Sequence, residues 1–557
     1  MTQGYIDFVL KNAPRVLTQI DKDSDSATYG SCDRNRWHLK IRDFDSAILQ
    51  QTGLTLTLLY QLDFPGNIYY NNENVKKWAI ASVHYWAKIQ LKDGSFNEYY
   101  PNEHGFPPSA FSLYSTCEIC LRLGMADEYI RNKIHKTARY LCRTIEEKAC
   151  NQEMASIAGL YNAYKVLGED WILDGCTKKL DRILAQQSEE GWFPEYGGAD
   201  IGYLSVCLDM LCEYYRMSGN ERVVRPIQNT VEFLKYFVHP DVSAGGEYGS
   251  RNTAYFLPAG LEIAISLGIS NAYAIKAKLF SAENFPNYFL NSVDERYVSH
   301  YLLHSFLRAM EYEVKNELNL NEIPLIPCDS NEVSRYFDKS GLLIFGNEKY
   351  YSIVSLSKGG VIYIYDKLKL CFIDCGYRVS YGKALASCTS WQDASYTYSF
   401  AAESGTVAVI DGYMNKIKLK SSSPFLLFGL RVAAFIFGRR LIGYLKGKVI
   451  FVDNHDDIRF RREICFGDTS VEVKDELFSP KKDVIFESAD NMSMRHVASG
   501  KFFSLADLLA RRKPIKKGRV VKRLLVFDIS GNSILDSAAS DESSISFSQL
   551  KTNHETS

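Results

Sequence analysis

The chain of 557 residues is 46% apolar and 24% charged, with a formal net charge of -1. That is the balance of an ordinary globular protein long enough for two or more domains. A charge this near zero lacks the basic stripe that nucleic-acid binding requires, and no nucleic-acid partner is expected.

The first 44 residues (1–44) read as an N-terminal strap. Their opening, MTQGYIDFVLKNAPRVL, has no basic n-region, apolar core and small-residue cleavage site, and the cytoplasm is the expected location. The 13 cysteines are scattered, and the C-x-x-C at Cys117 and Cys120 lies in an apolar helical segment, where buried free thiols are expected. From Tyr29 to Asp45 the chain packs Asp33, Arg34, Arg36, Trp37, His38, Lys40, Arg42 and Asp43 together. Two readings stand side by side. The cations clamp a substrate carboxylate or phosphate while Trp37 stacks on a sugar, or the segment is salt-bridged across the helices.

From 45 to 318 the texture is helical. Ala47–Tyr60, Ala110–Leu123, Met154–Val166, Tyr203–Tyr215 and Ala259–Leu267 carry apolar residues three and four apart, the period of a helix face turned to a core. The phrase Gln-x-x-(Asp/Glu)-Gly-x-Phe-x-Glu-Tyr occurs at Gln90–Tyr99 and again at Gln187–Tyr196, with a shortened echo at Gly246-Glu247-Tyr248. Such breaks recur at about fifty residues or multiples of it, the length of one helical hairpin. About six hairpins closing into an (α/α) toroid are predicted, with the repeated turns on one rim.

Residues 319–332, with two prolines and no helical period, form the expected linker. Beyond it, short runs rich in Val, Ile, Tyr and Phe predict an antiparallel β-sandwich over 333–530: Leu342–Phe345, Tyr350–Leu356, Val361–Tyr365, Leu370–Asp374, Thr406–Ile410, Val449–Val452, Ser470–Val473 and Arg523–Phe527. A polar tail (531–557) follows. The fold class is therefore α+β multidomain, an N-terminal (α/α) toroid of helical hairpins followed by a C-terminal antiparallel β-sandwich. An apolar basic insert at 424–448 interrupts the strands. Within it Phe425–Leu445 has Arg431, Arg439 and Arg440 as its charges. Three arginines count against a spanning helix. An interfacial helix at anionic headgroups is one reading, and a buried element with arginines at its edge is the other.

The rim sequences carry the chemistry. Glu98 and Glu195 follow the aromatic residue at a fixed offset and suit helix or loop capping. Around them stand Glu103 and His104, then Trp192, Asp200 and Tyr203, then Glu247, Tyr248, Arg251 and Asn252. β-Elimination of a uronic-acid polymer needs Asn, His or Arg to neutralise the substrate carboxylate. It also needs Tyr or His to move the proton. Glycoside hydrolysis needs two opposed carboxylates, for which Asp33, Glu103, Glu195, Asp200 and Glu247 are the candidates. Spacing alone does not decide between them.

A helical toroid followed by a β-sandwich resembles the heparinase II/III-like proteins and related polysaccharide lyases. Asn151 in Asn-Gln-Glu-Met-Ala is similar to the Asn that begins a toroid helix in that family. Glu190-Gly191, Glu195 and Tyr203 resemble its Asp-Gly turn, Glu and Tyr. Phe372-Ile-Asp374-Cys-Gly376 resembles its strand ending Asp-x-Gly, and Ser404-Gly405-Thr406-Val-Ala-Val-Ile-Asp411-Gly412 its His-Asn-Thr-Val-x-Val-Asp-Gly signature, with Ser404 and Gly405 where His and Asn would stand. The His-x-His-Ala-Asp motif is replaced by Ser355-Leu-Ser-Lys-Gly-Gly-Val-Ile-Tyr. Without paired histidines at ligand spacing no metal is expected, and His455 in Asp-Asn-His-Asp-Asp reads as a turn residue.

The resemblance implies a lyase-like enzyme of bacterial surface-polysaccharide metabolism, with no cofactor. Asn151, Tyr203, Tyr248, Arg251, Asn252 and His104 are the expected catalytic residues. Arg34, Trp37, His38, Glu103, Trp192, Glu195, Asp200 and Glu247 are the expected substrate contacts. The partner is a polysaccharide or a lipid-linked oligosaccharide, with peripheral membrane contact through Phe425–Leu445. The rivals are an inverting glycoside hydrolase and a non-catalytic glycan-binding scaffold.

Overall fold

The computed structural model describes residues 2–540 apart from 282–289, 291–292, 314–322, 383–384, 402–406, 419–421, 439, 442–443, 446–453, 482–483, 490–502, 504–506 and 508–513. Ser404, Gly405 and Thr406, the expected strand Val449–Val452, and the tail beyond 540 lie outside the described residues.

Among the described residues six helices line the inside of a ring: Thr52–Gln61, Phe106–Leu123, Cys150–Leu167, Ile201–Ser218, Ala259–Ser266 and Leu303–Tyr312. Each packs on the next, and the last packs back on the first. In Phe106–Leu123 nearly every residue is buried, as a helix covered on all sides requires. The outer helices Glu73–Ile89, Glu128–Arg143, Asp170–Leu184, Val224–Leu234 and Ser270–Phe280 are amphipathic. Glu128–Arg143, for instance, buries Ile130, Ile134, Thr137, Ala138 and Leu141 on one stripe, and Asp127 caps its start by accepting from the Ile130 N–H at 2.8 Å.

The sixth outer helix is Gln3–Leu17, within the stretch expected to be a strap. Its stripe Tyr5, Phe8, Val9, Ala13 and Val16 is buried, Phe8 stacks on Phe306 with centroids 4.0 Å apart, and the Thr2 N–H donates to Glu313 at 2.8 Å. The two ends of the helical region thus complete one hairpin. Inner helices all run the same way round the ring. The connections from each outer helix to the next inner one, 18–51, 90–105, 144–149, 185–200 and 235–258, together with 293–302, therefore gather on one rim.

The repeated phrase builds its turns twice over in the same manner. The Gln90 Nε2 donates to the Lys133 carbonyl and the Thr137 Oγ1 at 2.7 and 2.8 Å. The Gln187 Nε2 does the same to the Pro226 carbonyl and Thr230 Oγ1 at 2.9 and 3.1 Å. Gly94 and Gly191 sit at φ +92° and +102°, where L-residues are strained. A Cβ at either would overlap the carbonyl of Lys136 or Asn229 on the outer helix. Phe96 and Phe193 are buried beneath.

Two antiparallel sheets follow. The first, in order β1-β2-β3-β4-β5, comprises β1 (Val333–Phe337), β2 (Leu342–Gly346), β3 (Tyr351–Ser355), β4 (Val361–Tyr365) and β5 (Leu370–Asp374). Its alternate residues face opposite ways. Tyr351, Ile353, Tyr363 and Tyr365 join the core of the helical ring. Tyr350, Val354, Ile362 and Ile364 join the core beneath the second sheet. Burial on both faces explains why β2, β3 and β4 read as near-continuous apolar runs.

The second sheet holds β6 (Tyr377–Tyr381), β7 (Leu385–Cys388), β8 (Thr397–Ala401), β9 (Val407–Lys418), β10 (His455–Phe466), β11 (Ser470–Phe478), β12 (Ile485–Ser488), β13 (Pro514–Lys517), β14 (Val520–Asp528) and β15 (Ser533–Ser540). Its β15 continues past the expected end of the sandwich at 530. His455 opens β10 instead of sitting in a turn, and its Nε2 lies 2.9 Å from the Asp393 carboxylate.

Candidate active site at the long-loop rim

Cys150–Leu167 and Ile201–Ser218 enter the ring side by side, and their first turns carry the central group. Asn151 donates from Nδ2 to the Glu195 Oε2 at 2.7 Å. The bridge between Ala149 and Glu195 holds the two strands of rim together. Glu195 is 3% exposed, and its Oε1 has no hydrogen-bond partner. Burial pushes its carboxyl up to about 8, against the pull of Arg251 and the Asn151 hydrogen bond. At neutral pH Glu195 is therefore a neutral acid.

Arg251 lies over the Tyr196 ring, 4.2 Å from its centroid. Burial opposes its charge, but Tyr203, Tyr196, Glu195 and Asp200 around it outweigh that and hold the guanidinium charged. The Tyr203 hydroxyl faces that of Tyr297 at 3.5 Å, and Tyr255 and Tyr301 continue the cluster through a 2.8 Å hydroxyl contact. On the far side Arg296 pairs with Glu98 and lies 5.0 Å from the centroid of the exposed Tyr99 ring. The rim thus brings together Asn151, Glu195, Tyr203 and Arg251 of the expected set.

Tyr196, Arg296, Tyr297 and His300 also stand at this rim, outside the expected set. Arg296 and Tyr297 lie in a connection without the repeated phrase, although an acid-Arg-Tyr triplet after a loop was a usable signal. His300 sits in a π-helical turn, Val298–Leu302, a distortion frequent at functional sites. Its ring nitrogens are buried without partners. Burial, with Arg296 and His304 nearby, holds its pKa well below the ordinary value.

The other expected residues are engaged elsewhere. Tyr248 is 1% exposed, and its hydroxyl meets the His239 Nε2 at 2.8 Å, inside the contact between ring and first sheet. Asn252 pairs with Glu247 and with the Lys358 ammonium. Lys358 also donates to the carbonyls of Glu247 and Gly249 at 2.5 and 2.8 Å. The stretch Ser355–Gly360, where the resemblance placed histidines, therefore supplies a strut for the 247–252 loop.

Asp200 caps Ile201–Ser218 by accepting from the Tyr203 N–H at 3.2 Å and holds the Arg251 N–H at 2.8 Å. Glu103 accepts the N–H groups of Glu98 and Tyr99 at 2.6 and 2.8 Å. Its pKa is pushed up to about 8 by burial and by Glu98. His104 turns its Nδ1 to Asp93 and Ser95, at 2.7 and 2.9 Å.

Trp192 is buried and donates to Glu190 at 2.8 Å. Glu190 in turn accepts from the Lys339 and Ser340 N–H groups of the β1–β2 turn at 2.7 and 3.1 Å. Arg34 and Trp37 donate to the Thr18 and Gln19 carbonyls at 3.1 and 2.7 Å, and His38 packs beside Trp37, so this patch is tied down as a strap. Cys117 and Cys120 are buried free thiols. Among the described residues no group of three or more His, Cys, Asp or Glu is placed to hold a metal ion.

The architecture, a closed helical ring followed by antiparallel sheets, is that of the toroid-plus-β class found in polysaccharide lyases of known structure. Solved structures similar to this chain include two such lyases. One is Paenibacillus xanthan lyase, at 10% identity and a TM-score of 0.50, matched over 87% of this chain and 46% of that one. The other is the Streptomyces coelicolor A3 chondroitin AC lyase in complex with chondroitin sulphate, at 8% identity and a TM-score of 0.54, over 87% of this chain and 67% of that one. The chain thus spans less than half the length of the xanthan lyase, and at these identities the likeness is one of fold. No protein-family profile matches the chain, and no curated protein does.

Proposed function

We propose that this protein is a carbohydrate-active enzyme of the heparinase II/III-like kind that cleaves a uronic-acid-containing glycan by β-elimination. The observation that carries the reading is the buried neutral Glu195, bonded to Asn151 and set beside Arg251 and Tyr203. Removing the proton next to a carboxylate places negative charge on that carboxylate. A neutral acid, an amide and a guanidinium gathered in one buried group stabilise such charge without reorganising. Tyr203 takes the ring C–H proton, the electron pair forms the C=C bond, the glycosidic C–O bond breaks, and the proton passes to the leaving oxygen.

The hydrolase reading is weaker, because Asp33, Glu103 and Asp200 accept backbone N–H groups and are held out of an opposed catalytic pair. The glycan itself is read as a polymer or lipid-linked oligosaccharide of bacterial surface-polysaccharide metabolism, handled on the cytoplasmic side of the membrane.

Incubation with uronate-containing polysaccharides, followed by ultraviolet absorbance of the unsaturated product, tests the proposal. Tyr203→Phe is expected to lower kcat by about 10²–10⁴-fold with substrate binding retained. New reducing ends without absorbance, or binding without either product, overturn it.

A further inference from the structure

The helix Pro424–Phe437 joins β9 to β10 and starts with a Ser423 cap on the Leu426 N–H at 3.2 Å. It is the apolar part of the expected basic insert, yet it is not buried. Phe425, Phe428 and Phe435 are 88%, 70% and 77% exposed, and Leu426, Val432, Ile436 and Phe437 are exposed too. Ala434 is its one buried residue.

At about 100° per residue, Leu427, Arg431 and Ala434 fall on one side of the helix. Arg431 meets Asp43 there with two hydrogen bonds of 2.5 and 3.0 Å, so it is not the free headgroup ligand the sequence suggested. The exposed apolar residues cover the rest of the circumference. A protein groove covers one stripe of a helix, whereas acyl chains and headgroups surround it on every open side.

Charge agrees with this. From 412 to 452 the chain contains lysines and arginines but no Asp or Glu, and Arg440, just past the helix, is exposed. Among the described residues no helix is long and apolar enough to cross a membrane. Fourteen residues extend about 21 Å, short of the about 30 Å hydrocarbon core.

We infer that Pro424–Phe437 docks this protein onto an anionic lipid surface, lying in the interface with its phenylalanines among the acyl chains and the flanking cations at the headgroups. The helix is pinned to Asp43 in one rim connection, and the Cβ position of Gly438 at its end lies 3.6 Å from the His104 ring in the next. Docking therefore turns the long-loop rim toward the bilayer. Resting on the proposed function, this favours a glycan carried on a lipid over a free polymer.

Cosedimentation with vesicles of phosphatidylcholine alone or with phosphatidylglycerol tests the docking. The wild type is expected to pellet with the anionic vesicles at least tenfold more than with the neutral ones. A Phe425→Ser/Phe428→Ser/Phe435→Ser variant and an Arg439→Glu/Arg440→Glu variant are expected each to lose that preference while keeping the wild-type Tm and the wild-type rate on soluble polymer. Equal partitioning of wild type and variants overturns the inference. So does a concentration-dependent dimer, seen without lipid, that the triple serine variant dissolves. Absence of unsaturated product from every uronate-containing glycan offered, soluble or vesicle-borne, with vesicle binding intact, would instead sink the lyase reading alone.

Discussion

Replacing Glu195 by Gln separates stability from activity. Burial pushes this carboxyl from the ordinary 4.5 up to about 8. At pH 7 the unfolded chain carries it ionised and the folded chain carries it protonated, so folding takes up a proton. The folded value is the higher one. The stabilising contribution is therefore fully present below pH 4.5 and is lost as pH rises through 8. At about 1.36 kcal/mol per pH unit, burial of Glu195 costs about 3 kcal/mol at pH 7 and about 5 kcal/mol above pH 8. Glutamine keeps the shape and an oxygen for the Asn151 amide but takes up no proton.

The Glu195→Gln variant is thus expected to be more stable than wild type by about 3 kcal/mol at pH 7 and equal to it at pH 4, while losing product formation. Urea unfolding of both proteins by circular dichroism at pH 4, 7 and 8.5 reads this out. A difference that does not change with pH, or a variant less stable at pH 7, refutes the neutral buried acid.

Further predictions concern the scaffold. Midway along the inner helices, Arg308 is fully buried between Asp209 and Glu213 at 2.6 and 2.8 Å. Asp209→Ala is expected to cost about 3–5 kcal/mol by stranding that charge, measured as a fall in the urea midpoint. Gly191→Ala is expected to cost about 2 kcal/mol or more, because φ +102° and the Asn229 carbonyl both exclude a Cβ. Differential scanning calorimetry checks it, and an unchanged Tm counts against the close turn.

The inner helices were legible because they are apolar on nearly every side, whereas Asn151 and Tyr203 were singled out through the resemblance to the lyase family and not by a local signal of their own. Strands β2 to β4 of the sheet facing the ring were equally plain, since burial on both faces leaves near-continuous apolar runs, whereas β1, with Ser334 and Arg335 exposed, was not. β10 was not legible. Its sequence HDDIRFRREICF alternates, but Arg462 occupies an inward position and is neutralised by Asp475 and Asp374, each at 2.7 Å. A pattern that counts arginine as solvent-facing breaks there. Tyr248 was misplaced for the opposite reason. The short phrase Gly-Glu-Tyr looked like the other rim turns, whereas the first sheet covers it. Arg296 and Tyr297 escaped because their connection lacks the repeated phrase, and the Glu295-Arg296-Tyr297 triplet that marks it does not say which rim it joins.

Closure of the ring has a consequence for how the chain comes into being. The seam joins Gln3–Leu17 to Leu303–Tyr312, and Thr2 bonds to Glu313 across 311 residues. The first helix leaves the ribosome with an apolar stripe whose partner has not yet been made. At about 5–20 residues per second the wait is about 15–60 seconds. Contacts this distant in sequence form late and slow folding. Until then the open ring presents two unsealed apolar edges, and the nascent chain is the form most in need of a chaperone.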